Sequence, residues 1–498
     1  METFTADDQR DADAPRPPRV VLLASPGAGH LIPLAGLARR LADHHGVAPT
    51  LVTFADLEHP DARSAVLSSL PASVATATLP AVPLDDLPAD AGLERTLFEV
   101  VHRSLPNLRA LLRSAAPAPL AALVPDFFCA AALPVAAELG VPGYVFVPTS
   151  LAALSLMRRT VELHDGAAAG EQRALPDPLE LPGGVSLRNA EVPRGFRDST
   201  APVYGQLLAT GRLYRLAAGF LANTFYELEP AAVEEFKKAA ERGTFPPAYP
   251  VGPFVRSSSD EAGESACLEW LDLQPAGSVV FVSFGSAGML SVEQTRELAA
   301  GLEMSGHRFL WVVRMPSFNG ESFAFGKGAG DEDDRRVDDD PLAWLPDGFL
   351  ERTSGRGLAV AAWAPQVRVL SHPATAAFVS HCGWNSTLES VAAGVRMIAW
   401  PLHAEQSLNA VVLEESVGVA VRPRSWEEDD VVGGAVMRRG EIAAAVREVM
   451  EGEKGRVVRR RARELKLAAG RVWSPEGSSR RALEEVAGKW KAAATTHK

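Results

Sequence analysis

Two stretches of the chain carry residues whose types and spacing could do chemistry. In "SHCGWNSTLES" (380–390) a histidine, an asparagine and several hydroxyls cluster where an apolar run ends and a helical one begins. His381, Asn385 and Ser386 would set donors beside a helix start near Trp384. Its free backbone N–H groups and positive dipole end suit an anion such as a diphosphate. Glu389, one turn on from Asn385, would reach a ligand's hydroxyls, and a ribose fits that role. Trp363, at the end of a neighbouring apolar run, offers a flat face for stacking a base. The second stretch, "SPGAGH", carries His30. Asp126 lies just past another apolar run; if a sheet brings both to one edge, it fixes the imidazole tautomer and stabilises the protonated ring. His30 would then be a general base.

Each of these residues also has a purely structural reading. Ser386 and Glu389 have the spacing of a helix capping box. Trp363 could be core, and Asp126 could cap the helix after it. Asn385-Ser386-Thr387 matches a glycosylation sequon, a coincidence in a chain without a signal peptide. His381 and Cys382 have no second Cys or His at ligand spacing, so no metal is expected. "GAGHLI" compares poorly with the dinucleotide fingerprint: Gly27 and Gly29 fit, but Ile32 stands where the third glycine belongs. Asp56 is the nearest acidic residue to the end of the second strand. A nicotinamide enzyme is therefore the weaker reading.

The elements that must position these residues follow from periodicity. "RVVLLA" (19–24) is a continuous apolar run of the kind buried on both faces of a sheet, and a Gly/Pro turn follows it. "LIPLAGLARRLADHHG" then spaces Leu34, Leu37 and Leu41 as a helix, and "TLVTFA" (50–55) is the next strand. Strand, helix, strand implies a parallel sheet. Further runs read as strands at 120–124 and 143–147. After the Pro/Gly/Ser-rich "YPVGPFVRSSSDEAG" (249–263) the rhythm restarts, with strands at 278–285, 309–313, 357–363, 376–380, 396–400 and 418–422. The helix between the first two opens on a Ser291–Gln294 capping box and closes on a glycine. The result is two doubly wound halves. Because open α/β sheets bind ligands outside the carboxyl ends of their strands, the residues after each strand matter most. In the second half these are Gly285–Ser286, Trp363–Gln366, His381–Ser386 and Pro401–Gln406. The aperiodic 319–340 segment reads as a surface loop.

A chain of 498 residues should divide into domains. Its −12 net charge, from 62 acidic against 50 basic residues, argues against nucleic acid as a partner, which needs a basic face. The basic run "RVVRRRARELK" (456–466) is flanked by acids and reads as a solvated helix face. Three widely spaced cysteines, Cys129, Cys267 and Cys382, fit a reducing compartment without disulfides. The acidic, Pro-rich N-terminus has no apolar core and is not a signal peptide. Proline and aspartate break the most apolar stretch, so no membrane span is expected and the predicted location is cytoplasmic.

From Trp363 to Gln406 the sequence "WAPQVRVLSHPATAAFVSHCGWNSTLESVAAGVRMIAWPLHAEQ" resembles the signature box of plant secondary-product UDP-dependent glycosyltransferases. "SPGAGHLIPLAGLARRL", "LANTFYELEP", "YPVGPFV" and "FVSFGS" extend the likeness over almost the whole chain, most closely to the hydroquinone glucosyltransferase (arbutin synthase) group. The resemblance implies a GT-B fold, two Rossmann-like domains facing across a cleft. It places a lead at 1–17, an acceptor domain at 18–250, a linker at 251–264, a donor domain at 265–477 and a returning helix at 478–498. It implies that Trp363 stacks on uracil while Ala364 and Gln366 contact the uridine. His381, Trp384, Asn385, Ser386 and Ser286 would serve the diphosphate, Glu389 the ribose, and Glu405, Gln406 and Thr149 the sugar. His30 becomes the catalytic base and Asp126 its partner. UDP-glucose would be the donor co-substrate, with no cofactor, in a monomer that glucosylates a phenolic hydroxyl. Glucosylation at nitrogen or carbon, and a nucleotide-sugar-binding protein without transfer activity, stay open. The family's aspartate is replaced by Glu405 here, and its methionine by Ala28.

Overall fold

The structure, a computed structural model, describes residues 17–57, 60–88, 91–114, 119–166, 174–257, 261, 263, 265–317, 340–423 and 436–496. The 319–340 loop, apart from Asp340, and the N-terminal lead, apart from Pro17, lie outside the described residues.

In the first half the strands are β1 (Arg19–Leu23), β2 (Ala48–Phe54), β3 (Ala75–Leu79), β4 (Leu120–Pro125) and β5 (Tyr144–Val147). A small hairpin, β6 (Leu179–Leu181) with β7 (Val185–Leu187), precedes β8 (Gly219–Ala222) and β9 (Ala248–Pro250). β3-β2-β1-β4 form one parallel sheet and β5-β8-β9 another. Parallel bridges Leu123–Gly143 and Asp126–Phe146 join the two. The second half holds β10 (Val279–Ser283), β11 (Arg308–Val313), β12 (Gly357–Ala361), β13 (Thr375–Ser380), β14 (Arg396–Ala399) and β15 (Ala420–Val421). They form a parallel sheet in the order β12-β11-β10-β13-β14-β15.

The apolar runs became central strands because both faces are covered: Val20 to Leu23 and Val279 to Val282 are buried throughout. The sheets share one topology. Strand order reverses between β1 and β4, and again between β10 and β13. Each reversal opens a crevice at the carboxyl ends of the two strands, where an α/β sheet takes its ligand. The predicted Ser291 cap accepts from Gln294 N at 3.1 Å, and Gly306 closes that helix at φ 77°. The Gln294 side chain does not reach back as a capping box requires. It bonds the backbone of Met437 at 2.8 and 3.0 Å instead, tying this helix to the segment before the helix Arg439–Glu451.

The last helix, Ser478–Thr496, lies on the first half's core. Leu483, Val486, Ala487 and Trp490 pack with Val20, Leu22 and Leu34. Among the described residues, no helix is long and apolar enough to cross a membrane.

Candidate active site

At the first reversal, β1 runs through Ala24 and Ser25 into the turn that starts the helix Ala28–His44, and β4 runs into Asp126. His30 Nδ1 lies 2.9 Å from Asp126 Oδ1 and 3.1 Å from Oδ2. Asp126 is fully buried, whereas His30 keeps a quarter of its side chain exposed. A buried carboxylate persists only with hydrogen-bond donors around it. Besides His30 these are Ser25 Oγ and the N–H of Phe128, at 3.3 Å. The Phe128 contact is the cap expected from the structural reading, so Asp126 does both jobs. With Nδ1–H donated to the carboxylate, the imidazole lone pair sits on Nε2. The Phe128 ring, 5.4 Å from the His30 ring, forms an apolar wall beside it.

At the second reversal β13 ends at Ser380, and Gly383 N-caps the helix Trp384–Ala393. The capping-box reading of Ser386 and Glu389 is overturned: both lie inside the helix, and no side chain caps its first turn. Glycine takes that position because the His381 ring occupies the space a side chain would need. A Cβ on Gly285 would come within 2.7 Å of the imidazole, and one on Gly383 closer still. Burial, with His403 adding, pushes the His381 pKa down to about 3. The ring is neutral at physiological pH and acts as a hydrogen-bonding group, not a cation. The N–H groups of Trp384 to Ser386 have no acceptor within the helix.

Gln366 and Glu389 are locked together. Gln366 Nε2 donates to Ser386 Oγ at 2.9 Å and to Glu389 Oε2 at 2.6 Å. Arg256, from the linker, donates to Glu389 Oε1 at 3.2 Å. Trp363 is 61% exposed, so it is not core and its face is open to a ligand. Ala364 is buried beside it, and Ser286 is exposed in the turn after Gly285. Ala362, Cys382 and Ala404 take left-handed φ values of 63°, 63° and 53°. Such conformations cost energy in non-glycine residues and cluster at functional sites. Here each sits at a carboxyl strand end, next to Trp363, His381 or Glu405.

The two crevices face each other. Asn385 Nδ2 donates to Gly29 O at 3.0 Å, one residue before His30. Thr149 Oγ1 donates to Glu405 Oε1 at 3.0 Å, so these expected neighbours do meet. Gln406 is engaged mainly with its own loop. Its Oε1 accepts from the N–H groups of Leu402 (2.9 Å) and His403 (3.0 Å), and its Nε2 contacts His403 Nδ1 at 2.7 Å. One amide hydrogen is then left for a ligand. Sequence reasoning missed Ser25, Arg256, Asn223 and Asn409. Asn223 O accepts from Trp384 Nε1 at 2.8 Å, across 161 residues of chain. Only Arg256 carried a signal, as the one cation in the Pro/Gly/Ser linker stretch.

Two Rossmann-like domains with facing switch-point crevices define the GT-B class of transferases. A family model described as UDP-glucoronosyl and UDP-glucosyl transferase matches residues 258–458. UDP-glycosyltransferase 72B1 of Arabidopsis thaliana is 44% identical over 480 residues, covering 95% of this chain and 96% of that protein. Hydroquinone glucosyltransferase of Rauvolfia serpentina is also 44% identical, over 95% of this chain and 98% of its own. The structure of Phytolacca americana UGT2 complexed with UDP-2fluoro-glucose and pterostilbene superposes with a TM-score of 0.83 at 41% identity, covering 95% of this chain and 100% of that one. The chain belongs to the UDP-glycosyltransferase family, and is an enzyme of that kind.

Proposed function

We propose that the enzyme transfers glucose from UDP-glucose to the hydroxyl of a small phenol, with inversion at the anomeric carbon. The observation that carries this reading is the His30–Asp126 pair facing the helix start at Trp384, with Asn385 bonded to Gly29 between them. His30 Nε2 takes the phenolic proton as the oxygen attacks the anomeric carbon, and Asp126 stabilises the imidazolium that forms. The glycosidic bond forms as the bond to the diphosphate breaks. UDP leaves with its new charge against the helix N-terminus, the His381 ring and the Asn385 amide, fixed dipoles that need no reorganisation. Trp363 stacks on the uracil beside Ala364, Gln366 and Glu389 hold the uridine, and Ser286 borders the diphosphate. Glu405, with Thr149 behind it and one Gln406 hydrogen beside it, meets the sugar. The reaction needs neither a metal nor a covalent intermediate. The phenolic acceptor is supported by two relatives, one named for hydroquinone and one complexed with pterostilbene.

The test is a panel of phenols, anilines and aliphatic alcohols incubated with UDP-glucose, with NMR of the product linkage. A β-linked phenyl glucoside is expected. An α-linkage would overturn the single displacement, and a wild-type preference for alcohols or anilines would overturn the phenolic acceptor.

A further inference from the structure

Asn409 stands at a junction that none of the roles above uses. It lies in the helix Gln406–Val411 and is fully buried. Its Nδ2 donates to Cys382 O at 3.0 Å and to Glu405 Oε1 at 3.2 Å. Its Oδ1 accepts from Ser150 Oγ of the other domain at 2.9 Å, and its N–H donates to Glu405 O at 2.9 Å. One carboxamide thus touches the loop after β13, the loop after β14 and the turn that starts the helix Leu151–Asp165. The amide's polarity sets the order of contacts: only an NH2 can give hydrogens to both a carbonyl and a carboxylate, and only an oxygen can accept from Ser150.

We infer that Asn409 is a positioning residue for the donor sugar, acting through Glu405. Together with Thr149 it ties down Oε1 of Glu405, so the carboxylate cannot rotate and Oε2 is the oxygen turned to a sugar hydroxyl. The same amide holds the carbonyl of Cys382, whose left-handed φ of 63° shapes the loop carrying His381. Buried donors shared between two acceptors fix geometry well, because removing them leaves a carbonyl and a charged oxygen without partners. The inference rests on the sugar role proposed for Glu405.

Asn409→Asp and Asn409→Leu test it at near-constant volume. Both should raise the KM for UDP-glucose roughly tenfold or more, since hydrogen bonds to a charged group are lost. Binding of UDP alone, which lacks the glucosyl group, should change less than about threefold, and the KM for the phenol likewise. A loss of UDP affinity equal to the loss for UDP-glucose would overturn the inference, because it would mean a general structural role. A double-mutant cycle with Glu405→Gln separates this claim from its premise. If Asn409 acts through Glu405, the two losses are strongly non-additive; additive losses overturn it. If Glu405→Gln alone leaves the KM for UDP-glucose unchanged, the sugar role itself fails. Should either Asn409 variant not fold, Ser150→Ala carries the test. It leaves both donated bonds in place but releases Oδ1, and should raise the donor KM by a smaller factor with UDP binding unchanged; no change in donor KM, or an equal weakening of UDP binding, would overturn the inference.

Discussion

His30 and His381 both stand at a strand-order reversal, but on opposite strands of it, His30 after β1 and His381 after β13, and their surroundings differ as much. His30 is partly exposed and lies 2.9 Å from the buried Asp126 carboxylate. His381 is buried against Gly285 and Gly383, and burial, with the His403 imidazole adding, lowers its pKa to about 3. The fold supplies a crevice at each strand-order reversal. What surrounds the histidine there depends on what the adjacent strand delivers: β4 delivers Asp126, and β10 delivers a glycine turn.

The sharpest way to break this comparison is to remove each ring. His30→Ala should lower kcat on a phenol by about a hundred- to ten-thousand-fold, the usual contribution of a general base. UDP affinity should barely move. His381→Ala should do the reverse, weakening UDP-glucose more than it slows chemistry, as calorimetry with UDP and steady-state rates would show. Next in size, Asp126→Asn should reduce kcat/KM by less than removal of the ring does, since the carboxylate that orients His30 and stabilises the imidazolium is lost. A smaller effect is expected from Gly383→Ala. Its φ of −61° tolerates a side chain, so the penalty is steric: a displaced His381 ring and about 1–3 kcal/mol of overpacking, read as a lower Tm and weaker UDP binding.

A last effect concerns stability against pH. His381, His403 and His45 have folded pKa values lowered to about 3, 4 and 4 from an ordinary 6.5, mainly by burial. Below pH 6.5 the unfolded chain binds protons there and the folded one does not, so stability is lost as pH falls from about 6.5 towards 4. Glu229 opposes them. Burial raises its pKa to about 7, so between 4.5 and 7 the folded state holds the extra proton and gains stability as pH falls. Tm should therefore decline from pH 6.5 to 4, and Glu229→Gln should steepen the decline.

Legibility from sequence followed the range of the interactions. Most buried strands were readable as continuous apolar runs, though the short, fully buried β8 was not. The edge strand β3 was not, because "ATATL" is half polar and only its last residue is buried. The hairpin β6–β7 and the short β9 have too few residues for a period to show. At the site, strand-end position alone pointed to Trp363, His381 and Asn385. The Asp126–His30 contact could be posed but not decided, since it depends on β1 and β4 being neighbours. The misreading of Ser386 and Glu389 came from spacing that fits a cap, when a glycine held in place by His381 had taken that position. Asn409 and Asn223 gave no signal because one partner of each lies in the other domain, more than 150 residues away.

The helix Ser478–Thr496 belongs to the second half by sequence and to the first by contact. Its Trp490 is fully buried, edge-on to Tyr144 at 5.5 Å. The first half is therefore not a contiguous gene fragment, and cutting the chain at the linker would strip part of its core. Recombining acceptor halves between relatives should succeed when the tail travels with its own N-terminal parent. A single crossover would pair each acceptor half with a foreign lid on its core.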